Sequence, residues 1–284
     1  MVLSAFVYHF PEGAMTRTLQ QKEQDLRLRL RQCDGLLVAF SGGLDSTLLA
    51  AVAHAELGER MLAVTALSPV YPEHEQREAA AWAAQTGIPY ATVVSNELEV
   101  PGYAENPPNR CYLCKGELFT LLKTMAAERG LNAVADGTNA DDAADYRPGR
   151  QAACELGIIS PLLDAGLGKS DIRALSRALG LPTADKPAFA CLASRFPYGS
   201  VITEDKLKAV GAVENVLRTL GFRQFRARHH GDTVRIEVAP DELPHLIDPA
   251  IRAQTLAAAH GAGFTYVAAD LDGYRTGSLN AGLE

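Results

Sequence analysis

Apolar positions in this chain follow two rhythms. Short unbroken runs at 36–40, 61–67, 89–94 and 133–135 read as strands, and runs without polar alternation suit a parallel sheet buried on both faces. Between them lie helical patterns: a polar, Leu/Arg/Gln/Glu-rich stretch from 18 to 32, a run at 48–53, one at 73–86 closed by Gly87, and one at 112–129. Strands alternating with helices predict an α/β fold with a doubly wound parallel sheet. Ligands of such sheets lie at the carboxyl ends of strands. The loops after Phe40, Leu67 and Ala135 are therefore expected to share one crevice.

Further on come a short strand at 158–159, a helix at 169–179, and an irregular piece from 180 to 200, long enough to suggest function. The rhythm then changes. Thr203 caps a helix running to about 220, strands at 222–229 and 233–238 flank the turn His230-Gly231-Asp232, one or two helices span 241–260, and a strand closes at 264–267. This predicts a smaller C-terminal α+β domain. The division expected is an N-terminal extension at 1–17, an ATP-handling domain at 18–198 and the α+β domain at 199–284.

Composition narrows the function classes. The 284 residues are 47% hydrophobic and 21% charged, as in a globular protein. The net charge of −7 speaks against a broad nucleic-acid surface. No apolar run is long enough to span a bilayer, and the start lacks a basic leader. Five cysteines, an odd number in a large chain, argue against a disulfide framework and for a reducing compartment, hence a cytoplasmic location.

The first chemical signal is Ser41-Gly42-Gly43-Leu44-Asp45-Ser46-Thr47, between a strand end and a helix start. Free backbone N–H groups and the positive helix end converge there on an anion. Two glycines permit close approach, Ser41, Ser46 and Thr47 add hydroxyls, and Asp45 is a magnesium candidate. It is not the Walker loop, since no lysine follows the glycines. It resembles the PP-loop of the ATP pyrophosphatases, which split ATP between the α and β phosphates.

The second signal is Asn109-Arg110-Cys111-Tyr112-Leu113-Cys114-Lys115. A C-x-x-C pair can be a zinc half-site, a redox pair, part of an iron–sulfur site or two unrelated thiols, and Cys191 is the third candidate sulfur. Cys33 and Cys154 read as semi-buried residues on helical patterns. Asp136, Thr138, Asn139 and Asp142, at a strand end, are expected to line the nucleotide crevice, with Arg147 nearby. Ser194 and Arg195, beside Cys191, are placed to hold a phosphate or adenylate, which suits the guanidinium fork. Arg226 and Arg228 point to one face of their strand. Glu214 and Glu237 read as solvated carboxylates and Trp82 as core.

Taken together, SGGLDSTLL, NRCYLCK, ADGTNADDAADYRPG, SPL, KSDIRALSRALGLPTADKPAFACLASRFPYG, IT and RARHHGDTVRIEV resemble the LarE family of ATP-dependent sulfur transferases over about residues 18 to 270. The resemblance implies adenylation of a carboxylate of pyridinium-3,5-biscarboxylic acid mononucleotide, using ATP and Mg2+, then conversion to a thiocarboxylate for the nickel-pincer nucleotide cofactor. It implies that Cys191 is the sulfur position, that Cys111, Cys114 and Cys191 hold a [4Fe–4S] cluster, that Arg226 and Arg228 bind the substrate phosphate, and that Glu214 and Glu237 match acidic positions of a metal site. A sacrificial Cys191 without a cluster is the alternative. The resemblance also implies a small-molecule substrate and a homo-oligomer, a hexamer in the family. A tRNA thiolase is disfavoured by net charge, an amide-forming PP-loop ligase by the three cysteines, and a non-catalytic nucleotide sensor requires those cysteines to be inert.

Overall fold

The computed structural model describes residues 17–144, 148–187, 190–275 and 277. Its first half is an α/β layer. Helix α1 (Leu19–Arg31) opens on a capping box, in which Thr18 and Gln21 satisfy each other's backbone N–H groups. Strand β1 (Leu36–Ala39) leads through the glycine loop into α2 (Leu44–Leu57), followed by β2 (Met61–Leu67), α3 (Glu73–Thr86), β3 (Tyr90–Val94), α4 (Arg110–Glu128) and β4 (Ala133–Ala135). The sheet order is β3-β2-β1-β4, parallel throughout. The chain thus builds to one side of β1 and then returns to the other. The switch point lies between the carboxyl ends of β1 and β4, where a ligand crevice forms in such sheets.

Several boundaries differ from expectation. Helix α2 starts at Leu44, not 48, because Gly43 is still extended and acts as N-cap; the connection from β1 is therefore only four residues long, 40–43. Helix α4 starts at Arg110, so both cysteines of the C-x-x-C lie in its first turns. The short strand at 158–159 is a single bridge from Ile159 to Ala135. Pro161, without an N–H, opens α6 (Pro161–Asp164) two residues later. Before it stands α5 (Pro148–Glu155), also started by a proline and not anticipated. Cys154 on α5 is exposed rather than semi-buried, whereas Cys33 is half-buried. Arg147 lies outside the described residues.

Helix α7 (Lys169–Ala178) packs against α2, and one face of the sheet with α1, α2 and α7 forms the first core. Trp82 belongs to it, its ring 5.3 Å from that of Phe40. The opposite face is covered by α4 and α5.

The second half holds α8 (Glu204–Thr219), capped by Thr203, then β5 (Phe225–His230), β6 (Thr233–Val238), α9 (Leu243–Leu246), α10 (Pro249–Gly261) and β7 (Tyr266–Ala269). β5 and β6 are antiparallel and β7 adds to β6 in parallel. Their core includes Leu192, Ala193 and Phe196 from the long loop, and Val70 and Tyr103 from loops beside the first sheet.

His229 in this core stacks on Phe196 at 5.0 Å and meets the edge of Phe264 at 5.4 Å. Burial, then the charge of Lys206, holds its imidazole below the usual histidine range. The folded state thus binds this proton less readily than the unfolded chain, whose histidines titrate near about pH 6.5. Stability is expected to be full above that pH and to fall as pH drops through the window below it. Melting temperatures at pH 7.5 and 5.5 test this; His229→Phe should shrink the difference, with a remainder from His230, also lowered by burial.

Candidate active site

The glycine loop is closed by its own hydroxyls. Ser41 N–H donates to Ser46 Oγ at 3.2 Å, Gly43 N–H to Ser41 Oγ at 3.4 Å, and Ser46 Oγ to the Gly43 carbonyl at 3.3 Å. Gly43 brings no side-chain acceptor to the start of α2, so first-turn N–H groups remain for an anion. Thr47 is fully buried, and its Oγ reaches no partner among the described residues. Gly42 has φ +69° and a Cβ there would stand 2.9 Å from Ala79 Cβ. Gly42→Ala is expected to lower ATP-dependent pyrophosphate release about tenfold or more, since the left-handed backbone alone costs a side chain ~1–2 kcal/mol. A pyrophosphate assay, with melting temperature as control, checks it.

Two lysines that sequence reading passed over meet this loop. Lys169, first residue of α7, donates its Nζ to Asp45 Oδ2 and its backbone N–H to Asp141 Oδ2, the latter at 2.7 Å. Lys186 Nζ donates to the Gly42 carbonyl at 3.3 Å, to Glu75 at 2.6 Å and to Glu78 at 3.0 Å. Both stand in the stretch KSDIRALSRALGLPTADKP. A glycine-rich strand-to-helix loop without a lysine of its own is the signal that could have singled them out.

The loop after β4 comes to the same place. A Cβ on Gly137 would lie 3.1 Å from Ser46 N and 3.3 Å from Asp45 Cβ, so the two loops touch at the switch point. Here the polar residues mostly serve the loop itself. Asp136 accepts from Thr138 N–H, Thr138 Oγ1 and Ser160 Oγ at 3.1, 2.6 and 2.7 Å. Asn139, fully buried, donates Nδ2 to Asp142 at 2.8 Å. The loop after β2 continues into α3, whose Ala79 faces Gly42.

The three cysteines of interest come together. Cys111 and Cys114, three residues apart on one helix face, lie beside Cys191, close enough that the Cys191 charge reaches both of their thiols and the Cys111 charge reaches Cys114. Cys111 has solvent-reachable surface but is crowded on most sides. That crowding, then the Cys191 charge, pushes its thiol up. Cys114 is raised further, by burial and then by Glu97. Glu97, fully buried, also lies outside the sequence reading. It accepts from Ser68 Oγ, from Ser95 Oγ at 3.3 Å and from Cys114 Sγ at 3.9 Å. Tyr71 and Tyr103 lie near the thiols, their phenols held well above the usual range by burial and by the Cys114 and Cys191 charges. Among the described residues no three His, Cys, Asp or Glu side chains converge on a single metal ion.

The loop carrying Cys191 is anchored on both sides. Leu192 N–H donates to the Val70 carbonyl at 2.8 Å. Arg110, the residue before Cys111, donates to the Ala193 carbonyl at 3.0 Å and to Asn106 Oδ1. Asn106, with φ +57°, grips the Pro197 carbonyl at 2.7 Å. From the C-terminal side, Arg195 holds the Ala190 and Cys191 carbonyls at 2.8 and 3.1 Å, while its fork binds Glu214 at 2.7 and 2.8 Å. Ser194 donates its hydroxyl to the Cys191 carbonyl at 2.8 Å. Arg228 binds the Ser194 carbonyl at 2.8 Å and Glu237 at 3.0 and 2.8 Å.

Glu214 and Glu237 are thus not solvated carboxylates. They are 4% and 1% exposed, because each is the counter-charge of a buried arginine. Arg195 is itself fully buried. Arg226 lies over the Tyr274 ring at 4.8 Å, and burial with the charge of Arg195 lowers its guanidinium to about 10. Arg195, Arg226, Arg228 and Arg235 therefore meet two glutamates behind the thiol loop, a basic setting suited to an anion.

Comparison with known proteins agrees with this geometry. A family model described as NAD synthase matches residues 19–100. An uncharacterized protein of Synechocystis sp. is 44% identical over 262 residues, covering 92% of this chain and 98% of its own. The pyridinium-3,5-bisthiocarboxylic acid mononucleotide synthase of Lactiplantibacillus plantarum is 36% identical over 266 residues, covering 93% and 95%. An uncharacterized protein of Methanocaldococcus jannaschii is 30% identical over 244 residues, covering 85% and 91%. With a glycine-rich loop at the switch point and a pinned cysteine loop beside it, matched to these relatives over nearly their whole length, the chain belongs to the LarE family of PP-loop, ATP-dependent sulfurtransferases.

Proposed function

We propose that this enzyme converts the carboxylates of pyridinium-3,5-biscarboxylic acid mononucleotide to thiocarboxylates, the product class in the name of the Lactiplantibacillus plantarum relative. A carboxylate oxygen attacks the α phosphorus of ATP and pyrophosphate leaves. A sulfur nucleophile then attacks the acyl carbon and AMP leaves, its phosphate taking the electron pair. Residues 18–198 supply the activating half, with Ser41, Gly42, Gly43 and Ser46 around the phosphates and Asp45 on Mg2+. Residues 199–284 supply Arg226 and Arg228 for the substrate phosphate. Asp136 and Asn139 shape the crevice wall and present Thr138, while Ser194 and Arg195 fix Cys191.

The observation that carries this reading is the tethering of Cys191: anchors from both halves of the fold hold one small loop, and it presents a thiol beside two others. Three thiols that interact without converging on one ion suit a cluster, in which each thiolate binds its own iron. Cys111, Cys114 and Cys191 would hold a [4Fe–4S] cluster, which would supply a carrier for exogenous sulfide. Because Cys111 and Cys114 are pushed up, their protons must leave on loading, and loading is favoured by higher pH. The sacrificial route uses Cys191 alone and leaves dehydroalanine.

Anaerobic purification with iron and sulfide analysis, then intact mass after turnover with ATP and the substrate, tests the reading. Iron at cluster stoichiometry with Cys191 unchanged supports recycling. Absence of iron with dehydroalanine at 191 removes the cluster and keeps the reaction, and absence of ATP-dependent thiocarboxylate removes both. The proposed homo-oligomer is checked by light scattering on the same sample.

A further inference from the structure

We propose that Arg110 is the counter-charge of the sulfur nucleophile: its guanidinium, buried beside Cys111 and Cys191, holds an incoming hydrosulfide anion in place for attack on the acyl adenylate. Arg110 is the first residue of α4 and is 3% exposed. Its partners are neutral groups. Nη1 donates to Asn106 Oδ1 and to the Ala193 carbonyl, the latter at 3.0 Å, the Tyr198 ring lies 6.0 Å away, and the Cys111 sulfur accepts from the guanidinium. Among the described residues no carboxylate pairs with it.

A buried cation is costly unless a negative charge meets it. Arg195 has Glu214 for this purpose and Arg228 has Glu237. Arg110 has the sulfurs instead. Burial opposes its charge, but the charges of Cys191 and Cys111, then those of Tyr103 and Tyr198, more than offset this and raise its titration. The guanidinium is therefore matched to negative charge on sulfur.

Two neighbours narrow the place of the anion. Cys114 donates its thiol to the fully buried Glu97 at 3.9 Å, so that end offers an acceptor, which an anion does not need. Lys115, whose charge also reaches Cys111 and Cys114, is only half-buried, with its ammonium over the Phe119 ring at 5.1 Å. The anion is thus drawn to the Cys111–Cys191 side, beside Arg110. There the hydrosulfide forms a C–S bond at the acyl carbon. The acyl–oxygen bond to AMP breaks, its electron pair leaves on the phosphate, and the thiol-acid proton passes to water. A fixed guanidinium lowers the cost of holding the attacking charge in a buried site. This rests on the assignment of sulfur transfer to the enzyme.

Two measurements on the full chain test the role, each for wild type, Arg110→Gln and Arg110→Lys. The first is anaerobic thiocarboxylate formation with ATP, the pyridinium substrate and varied sodium sulfide. Arg110→Gln is expected to raise the KM for sulfide about tenfold, with kcat changed less. Arg110→Lys keeps the charge and loses the fork, and is expected within about threefold of wild type. The second, on iron-free protein, compares alkylation of Cys191 by iodoacetate, an anion, and iodoacetamide, its neutral analogue, read by mass spectrometry. Both reagents attack through the thiolate, so their rate ratio cancels changes in ionisation and reads local charge. The ratio is expected to fall about fivefold in Arg110→Gln and to hold in Arg110→Lys. A purely structural loss would leave the ratio unmoved, and that result overturns the role. So does a sulfide KM unmoved in Arg110→Gln, or a wild type indifferent to added sulfide. If melting shows that Arg110→Gln fails to fold, wild-type Cys191 is compared with the exposed Cys154, and a ratio no higher at Cys191 overturns the role. A wild type that forms no thiocarboxylate under any condition removes the sulfur-transfer assignment itself, and is thereby told apart from failure of the arginine's role alone.

Discussion

Cys191→Ala is expected to leave ATP-dependent pyrophosphate release in place and to lower thiocarboxylate formation by about 10³-fold or more, the scale on which removal of a nucleophile acts. The separation follows from the anchoring. Every bond that fixes the loop uses backbone or a neighbouring side chain: Leu192 N–H on Val70, Arg195 on the Ala190 and Cys191 carbonyls, Arg110 on the Ala193 carbonyl. The thiol itself makes none of these bonds and only packs, partly buried, against the second core, so its removal is expected to spare the fold and the nucleotide loop. Pyrophosphate assay and product mass on the same sample read both halves. Thiocarboxylate at the wild-type rate would take Cys191 out of the sulfur route.

Glu214→Ala carries the largest expected cost in stability, about 3–5 kcal/mol in urea unfolding, the range for removing one partner of a buried pair. Arg195 has no exposure, and its fork spends two donors on this carboxylate, which also accepts the Ala227 N–H at 2.9 Å. Alanine leaves the Arg195 guanidinium without this carboxylate and the Ala227 amide without its acceptor inside the protein. Glu214→Gln keeps the shape and is expected to lose less. The pair variant Glu214→Leu/Arg195→Met is expected to regain much of the stability, because a buried pair is costly chiefly when half of it remains. It should not regain sulfur transfer, since the Ala190 and Cys191 carbonyls lose their clamp. A pair variant as unstable as Glu214→Ala would show that the ion pair is not the source of the cost.

The contrast between these residues shows what a sequence can disclose. The bounds of β2 and α3 follow from local apolar spacing and a glycine stop, and they were legible to the residue. The nucleotide loop was legible because its chemistry lies within seven consecutive residues. Glu214 and Glu237 were misread because their partners come from elsewhere: Arg195 lies on a loop, and Arg228 lies across a strand pair in which Arg226 sits directly opposite Glu237. Burial of a carboxylate is set by where a distant arginine arrives, which periodicity does not record. The same holds for Asn106, Arg110 and Glu97, whose roles depend on Ala193, Pro197 and Cys114 being brought to them.

The double anchoring of the Cys191 loop has a consequence in time. Every partner described for the nucleotide loop, from Ala79 to Lys169 and Lys186, has left the ribosome once residue 186 has. The cysteine loop still waits for Glu214, Arg228 and Glu237. A chain made from its N-terminus can therefore shape its ATP-splitting half first and close its sulfur half last. Until then Cys111 and Cys114 stand without the clamped third thiol, and the late C-terminal clamp is what turns three separate thiols into one site.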